Sequence, residues 1–148
     1  MTGTALREEL ESFLGEYQST LSAYDAERTA ALWGTPGTIV SDEFVGALHS
    51  REEMARGLAQ AHPIYQMLGL SRVDHTVLDL AELTESLMRA RVRWHFYDGD
   101  DELLTDSDYE YVLRRDDDGW HTYVAVAIDE AAKLSRLAAD KGLQLPGI

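Results

Sequence analysis

Hydrophobic residues near the start of the chain recur at the spacing of one helix face. They follow steps of three, four and seven residues, which is typical of an amphipathic helix that packs on a core. These residues are Leu6, Leu10, Phe13, Leu14, Tyr17, Leu21 and Tyr24. Asp25 can then cap a second, short helix over residues 26–33, which Gly34 is placed to end.

Turn residues and short apolar runs follow this helical region. Pro36 and Gly37 predict a turn into a first strand, and two short strands are expected at 38–41 and 44–48. Ser50 and Glu53 have the spacing of a capping box, so a third helix is predicted up to residue 61. Pro63 should break that helix at His62, with a further helical turn at 64–68.

Beyond residue 70 the hydrophobic period changes from helical to two. Strands are predicted at 73–83, 87–97, 107–115 and 120–128. In the second of these, one face carries Met88, Ala90, Val92, Trp94 and Phe96, and the other carries Arg89, Arg91, Arg93 and His95. Such alternation is typical of a half-buried antiparallel strand. Asp129 can cap a last helix with Leu134, Leu137 and Ala138 on one face.

The predicted order is α-α-β-β-α-β-β-β-β-α, with helices early and a meander of strands after them. Segregated helices and strands favour the α+β class over a doubly wound sheet. A curved antiparallel sheet wrapped around the first three helices would cover all the apolar faces at once. The 148 residues contain no internal repeat or low-complexity linker, so a single domain over 1–148 is expected.

The composition limits the classes of partner. Thirteen Lys and Arg against 27 Asp and Glu give a formal charge of −14, which opposes binding to nucleic acids and to anionic membranes. There is no cysteine, which excludes disulfides and thiolate chemistry. The first residues are charged where a signal peptide needs an apolar run, so a cytoplasmic location is expected.

Several short segments carry a resemblance to a known family. They are FLGEY at 13–17, YDAER at 24–28, TIVSD at 38–42, and the hairpin from YVLRR at 111–115 to Gly119 and Trp120. Together with the order of elements, they resemble the nuclear transport factor 2-like superfamily, in particular its SnoaL-like and ketosteroid-isomerase-like members. The resemblance covers about residues 5 to 128, and the last helix is an addition that many members lack.

The resemblance implies a cone-shaped, cystatin-like α+β barrel whose open end holds a mostly apolar pocket, often in a homodimer. Members include isomerases, dehydratases, polyketide cyclases and non-catalytic domains, so the fold does not settle the function. One hypothesis is a cofactor-free isomerase, cyclase or dehydratase that acts on a small apolar carbonyl compound. The alternative is a non-catalytic ligand-binding or dimerisation domain.

Candidate catalytic residues are also carried by the resemblance. Asp42 ends the segment where ketosteroid isomerases carry their proton-transferring aspartate, and Tyr17 resembles the tyrosine that hydrogen-bonds the substrate oxygen. Here Asp42 is followed by Glu43-Phe44-Val45-Gly46 instead of proline-valine-glycine, which adds a charge. His49 ends the second strand and is a third candidate. The residues predicted to line the ligand pocket are Trp33, Phe44, Trp94 and Tyr109, and the scattered histidines predict no metal site.

The outer face of the predicted sheet offers two interpretations. Arg89, Arg91 and Arg93 should face acids on neighbouring strands, and the candidate partners are Asp108, Glu110 and Glu82. The arginines would then form structural ladders or contacts in a homodimer. If Tyr109 and Tyr111 point into the cone, alternation turns Asp108 outward, away from the pocket.

Overall fold

The computed structural model describes residues 3–145. The helices in this range are α1 (Gly3–Ser22), α2 (Ala26–Ala31), α3 (Arg51–Ala59), α4 (His62–Met67) and α5 (Glu130–Asp140). The strands are β1 (Trp33–Val40), β2 (Val45–Leu48), β3 (Arg72–Thr84), β4 (Leu87–Tyr97), β5 (Leu103–Asp116) and β6 (Gly119–Ala127). The helical turn predicted beyond the His62–Pro63 break is formed as α4.

The strands within residues 3–145 form one sheet in the order β2-β1-β6-β5-β4-β3. All neighbouring strands are antiparallel except β1 and β6, which run parallel. The α+β class and the antiparallel meander of β3 to β6 are therefore confirmed. The exception at β1 was not predicted; a parallel pair needs a long connection, which the elements from β2 to β5 provide.

The main core lies between α1 and the inner face of the sheet. Leu10 and Leu14 of α1 are almost completely buried, as are Met88 and Val92 of β4. These residues belong to one hydrophobic cluster. Burying each such side chain contributes about 1.5–3 kcal/mol to the stability of the fold. The apolar faces of α1 and β4, which the sequence periodicity predicts, therefore supply much of that stability.

The outer face of the sheet is covered by ion pairs between neighbouring strands. Arg93 donates two hydrogen bonds to the carboxylate of Asp108, at 2.8 and 3.1 Å. Further pairs join Arg89 to Glu110, Arg91 to Glu110, and Arg89 to Asp79. Asp79 takes the place predicted for Glu82, because the register of β3 against β4 shifts just before Asp79.

The second helix is shorter than the sequence predicts. It ends at Ala31, and Trp33 begins β1 instead of closing the helix. The Trp33 ring is buried, and its Nε1–H donates to the Tyr17 hydroxyl at 3.0 Å, so tertiary contacts outweigh the local helical pattern. Gly34 is a strand residue required by close packing, since a Cβ there would lie 2.1 Å from the ring of Tyr123.

A second, smaller hydrophobic cluster joins α4 to α5. Its buried members are Leu68, Leu134, Ala138 and Leu145, and Tyr65 of α4 packs against it. The predicted C-terminal helix is therefore fixed on the molecule by its apolar face. This packing brings the N-terminus of α5 close to α4.

Candidate functional site

A cavity of about 610 Å³ opens between the helices and the inner face of the sheet. This volume lies within the range of small-molecule sites. Its walls are mostly apolar and rich in aromatic rings. The aromatic residues that line it are Tyr17, Trp33, Phe44, Tyr65, Trp94, Phe96, Tyr109 and Tyr111.

Few charged or titratable groups other than tyrosines face this cavity. Among the described residues that line it, these are Glu43, His62 and Glu130, and neither lysine nor arginine contributes. Glu43 is exposed on the loop between β1 and β2. Glu130 is therefore the candidate for chemistry inside the cavity.

Glu130 is the first residue of α5, directly after the N-cap position of Asp129. Tyr65 of α4 donates a hydrogen bond to its Oε1 at 2.6 Å, and Tyr109 of β5 donates to its Oε2. Burial raises the pKa of Glu130 above its usual 4.5, and the nearby Asp129 carboxylate adds to this, while the two tyrosine hydrogen bonds oppose it. A raised pKa moves a carboxyl group towards the range in which general acids and bases work best.

Asp129 fixes the position of Glu130, although not by the predicted helix cap. Its side chain makes no capping hydrogen bond to α5. Instead, its Oδ1 accepts from the backbone N–H of Asp108 at 2.8 Å, while the backbone N–H of Ile128 donates to the Asp108 carbonyl at 3.0 Å. Lys133 also forms an ion pair with Asp106 of β5. The first turn of α5 is thus fastened to β5.

Tyr17 of α1 presents a hydroxyl to the same cavity. The oxygen accepts from Trp33 Nε1–H at 3.0 Å. Burial raises the pKa of Tyr17 to about 12, with the Trp33 hydrogen bond opposing and the Glu130 charge adding to the shift. The hydroxyl therefore keeps its proton at neutral pH and is available as a donor.

Tyr111 of β5 is arranged in the same way. Its oxygen accepts from Trp94 Nε1–H at 2.8 Å, and burial raises its pKa well above the usual value. The Tyr111 ring centroid lies 6.2 Å from that of Tyr17 and 5.6 Å from that of Tyr109. Two protonated hydroxyls, each with its oxygen engaged by an indole, therefore line the cavity with the Glu130 carboxylate.

His62, at the start of α4, is a further titratable group in the cavity wall. Its ring meets that of Tyr24 edge-on, with centroids 5.2 Å apart. Burial lowers its pKa below 6.5, so the neutral imidazole predominates at neutral pH. A histidine therefore does line the cavity, although it is not the predicted His49.

The predicted site residues separate into two groups in the structure. Tyr17 and all four predicted ligand-binding residues line the cavity: Trp33, Phe44, Trp94 and Tyr109. Asp42 and His49 are exposed and are not among the described lining residues. The candidate base Asp42 therefore lies outside the described lining of the cavity. Asp108 points outward, opposite Tyr109 and Tyr111, as alternation predicts.

The sequence reasoning missed Glu130, Tyr65, Tyr111 and His62 as site residues. One signal was present for Glu130, because an acid in the first turn of a helix that directly follows a strand must stay near the end of that strand. Tyr111 shares the inward face of β5 with Tyr109, two residues away. Tyr65 and His62 had no comparable signal.

Within residues 3–145, no helix combines the length and the apolar character needed to cross a bilayer. Comparison with proteins of curated function finds no match. Comparison with solved structures finds many similar folds.

One similar structure is a domain of unknown function with a cystatin-like fold from Nostoc punctiforme, 20% identical, with a TM-score of 0.68 over 97% of this chain and 90% of that chain. A second is a ketosteroid isomerase-like protein from Erwinia carotovora atroseptica, 11% identical, with a TM-score of 0.62 over 82% and 93% of the two chains. A third, from Catenulispora acidiphila, was solved in complex with S-DNPA; it is 19% identical, with a TM-score of 0.65 over 87% and 97%.

These similarities establish the cystatin-like fold, and the identities are too low to carry an activity across. The sequence itself also matches a family over residues 7–130, which is most of the chain. This match confirms the resemblance drawn from the short segments. The chain belongs to the family described as NTF2-like protein (DUF6841).

Proposed function

We propose that this protein binds a small, mostly apolar carbonyl compound in the cavity and catalyses proton transfer at the carbon next to the carbonyl. Glu130 acts as the base, and Tyr17 and Tyr111 donate hydrogen bonds to the carbonyl oxygen. The observation that carries the proposal is the convergence of one half-buried carboxyl group and two protonated tyrosines in one apolar cavity.

The chemistry needs no cofactor. The Glu130 carboxylate removes a proton from the α-carbon, and the electron pair of that C–H bond moves to give an enolate. The two hydroxyls stabilise the new negative charge on oxygen; donors of this kind are worth about 10²–10³ in rate each. The Glu130 carboxylic acid then returns a proton to the substrate, at the same carbon or at a conjugated one. The second outcome is an isomerisation.

Glu130 takes the role predicted for Asp42. The Asp42 side chain is exposed on the β1–β2 loop and is not among the described residues that line the cavity. Glu130 is half-buried in the cavity wall and accepts hydrogen bonds from Tyr65 and Tyr109. His49 is likewise exposed, so His62 replaces it as the candidate histidine.

One observation favours the alternative of a non-catalytic ligand-binding domain. Tyr65 and Tyr109 already donate to both oxygens of Glu130, so the carboxyl group has satisfied partners without any substrate. A structural role for this triad would leave an apolar cavity that only binds. The experiment described below separates the two functions.

The proposal also includes a homodimer and a cytoplasmic location. The paired charges on the outer face of β4 and β5 suit a homodimer in which two sheets meet, as in many members of the superfamily. We place the protein in the cytoplasm, and its charge of −14 opposes binding to nucleic acids and to anionic membranes. Light scattering at micromolar concentration tests the dimer, which a mass of 16.6 kDa would refute.

The test of catalysis is hydrogen–deuterium exchange at the α-carbon of tetralone, an apolar cyclic ketone, followed by NMR in D₂O. The wild-type protein should accelerate the exchange above the buffer rate. Glu130→Gln should lower the acceleration by about 10²-fold or more, the scale of lost general-base catalysis. Asp42→Asn is the matched control and should leave it unchanged. Tetralone that binds without accelerated exchange in the wild type would favour the non-catalytic function.

A further inference from the structure

We propose that the cavity ranks apolar ligands by their charge, so that protonated amines bind more tightly than neutral isosteres and carboxylates bind most weakly. The inference rests on the proposed function only in assigning ligand recognition to the Glu130 carboxylate. It adds a class of ligand, apolar amines, that would act as inhibitors of the proposed reaction.

The first argument is the set of charges around the cavity. Its described lining contains two acids, Glu43 at the loop and Glu130 inside, one mostly neutral histidine, His62, and no lysine or arginine. A bound carboxylate would lose its hydration and find no cationic partner, which is costly in an apolar site. The charge of −14 on the whole chain adds a repulsive field.

The second argument is that the Glu130 carboxylate has no cationic partner among the described residues. No ion pair joins its carboxylate to a cation in the described part of the chain, because Lys133, one turn along α5, is engaged by Asp106 and Asp129. The partners of Glu130 are two neutral hydroxyls, from Tyr65 and Tyr109. A carboxylate can accept about four hydrogen bonds, so it retains capacity for an ammonium group.

The third argument is the aromatic wall around this carboxyl group. Tyr109, which donates to Glu130, stacks on Tyr111 with ring centroids 5.6 Å apart, and Tyr17 lies 5.7 Å from Trp94. Aromatic faces attract cations through their quadrupole, and the attraction strengthens when the cation leaves water. A carboxylate among such rings offers an ammonium group both a charge partner and a compatible surface. Together these terms should favour an amine over its alcohol isostere about tenfold or more.

The experiment is isothermal titration calorimetry at neutral pH with three probes of one shape: naphthylmethylamine, naphthylmethanol and naphthoate. The amine should bind the wild-type protein about tenfold or more tightly than the alcohol, and naphthoate should bind more weakly than both. Glu130→Gln should bring amine and alcohol to similar affinity, while Asp42→Asn, a change on the exposed β1–β2 loop outside the described cavity lining, should preserve the preference.

Amine and alcohol of equal affinity in the wild type, tightest binding by naphthoate, or no binding of the amine would each overturn the proposal. Retained alcohol binding shows that the cavity of the Glu130→Gln variant is intact. If this variant does not fold, the ranking of the three probes by the wild type and by the Asp42→Asn control decides alone. The calorimetry measures binding and involves no reaction. If the protein does not exchange the α-proton of tetralone, the charge preference can still be present. If the charge preference is absent, the proposed catalysis is still tested separately by the exchange experiment.

Discussion

The two faces of strands β4 and β5 treat carboxyl groups in opposite ways. On the outer face, two hydrogen bonds from Arg93 lower the pKa of Asp108 below 3.8 and outweigh its burial. At the inner face, burial raises the pKa of Glu130 above 4.5, and the side chains of residues 3–145 that donate to its carboxyl group are the neutral hydroxyls of Tyr65 and Tyr109. The cation favours the ionised form of the outer acid, whereas burial favours the protonated form of the inner acid.

Whether a carboxyl group has a cationic hydrogen-bonding partner decides the direction in which its pKa shifts at these two positions. Asp108 and Tyr109 are adjacent in the sequence, yet Asp108 pairs with Arg93 outside while Tyr109 binds Glu130 inside. Strand alternation alone produces this separation. A residue's role here depends on which face its position selects.

The largest expected effect comes from placing a cation on the wrong face. Val92 is completely buried on the inner face, next to Arg91 on the outer face. Val92→Lys buries an unpaired charge and should destabilise the protein by about 3–5 kcal/mol. Urea unfolding measures the loss. Arg91→Lys, the neighbouring control, should move the midpoint little, and a comparable loss in both variants would remove the distinction between the faces.

A smaller loss of stability is expected from changes at the start of α5, where Asp129 connects the helix that carries Glu130 to the backbone of β5. Asp129→Ala leaves the Asp108 N–H without its acceptor and should cost about 1–3 kcal/mol. It should also displace Glu130 and slow α-proton exchange on tetralone. Asp129→Asn keeps an acceptor oxygen and should therefore retain most of the stability and most of the exchange activity. Equal damage by the two substitutions would mean that the charge of Asp129, and not its hydrogen bond, holds the helix.

The smallest expected effects are in the pH dependence of stability. The pKa of Glu130 is higher in the folded than in the unfolded protein, so the folded state binds more protons above pH 4.5 and stability falls as the pH rises through this window. Glu130→Gln should remove this decline. Asp108 behaves oppositely, since its lowered pKa stabilises the fold above about pH 3.8 and the contribution is lost on acidification. Thermal unfolding of wild type and Glu130→Gln from about pH 2 to pH 8 covers both pH ranges. Identical slopes of the two proteins above pH 4.5 would contradict the assignment to Glu130.

Much of the fold follows from local patterns in the sequence. The apolar steps of α1 and the alternation of β4 predict both sides of the core, because burial of one face imposes its period on the chain. The spacing of Trp33 predicts a helical position, whereas in the structure Trp33 begins β1 and donates a hydrogen bond to Tyr17 that no local pattern reveals.

Local patterns in the sequence predict only some of the cavity residues, because the others depend on contacts between distant segments. Tyr17, Trp94 and Tyr109 lie on faces that periodicity identifies as inward. Glu130 reaches the cavity because α5 packs against α4 and is tied to β5 by Asp129, which are contacts between segments distant in the sequence. Asp42 was inferred from a resemblance, and the loop that carries it turns the side chain to solvent.

The most direct test of the central claim is an NMR titration of the glutamate carboxyl carbons. The wild-type protein should show one glutamate that titrates clearly above the usual 4.5, and its signal should be absent in Glu130→Gln. Spectra of Glu43→Gln should retain it. If Glu130 titrates at or below 4.5, its carboxyl group is not held in the low-polarity surroundings that the cavity is proposed to provide, and both its role as a base and the contrast with Asp108 would be contradicted.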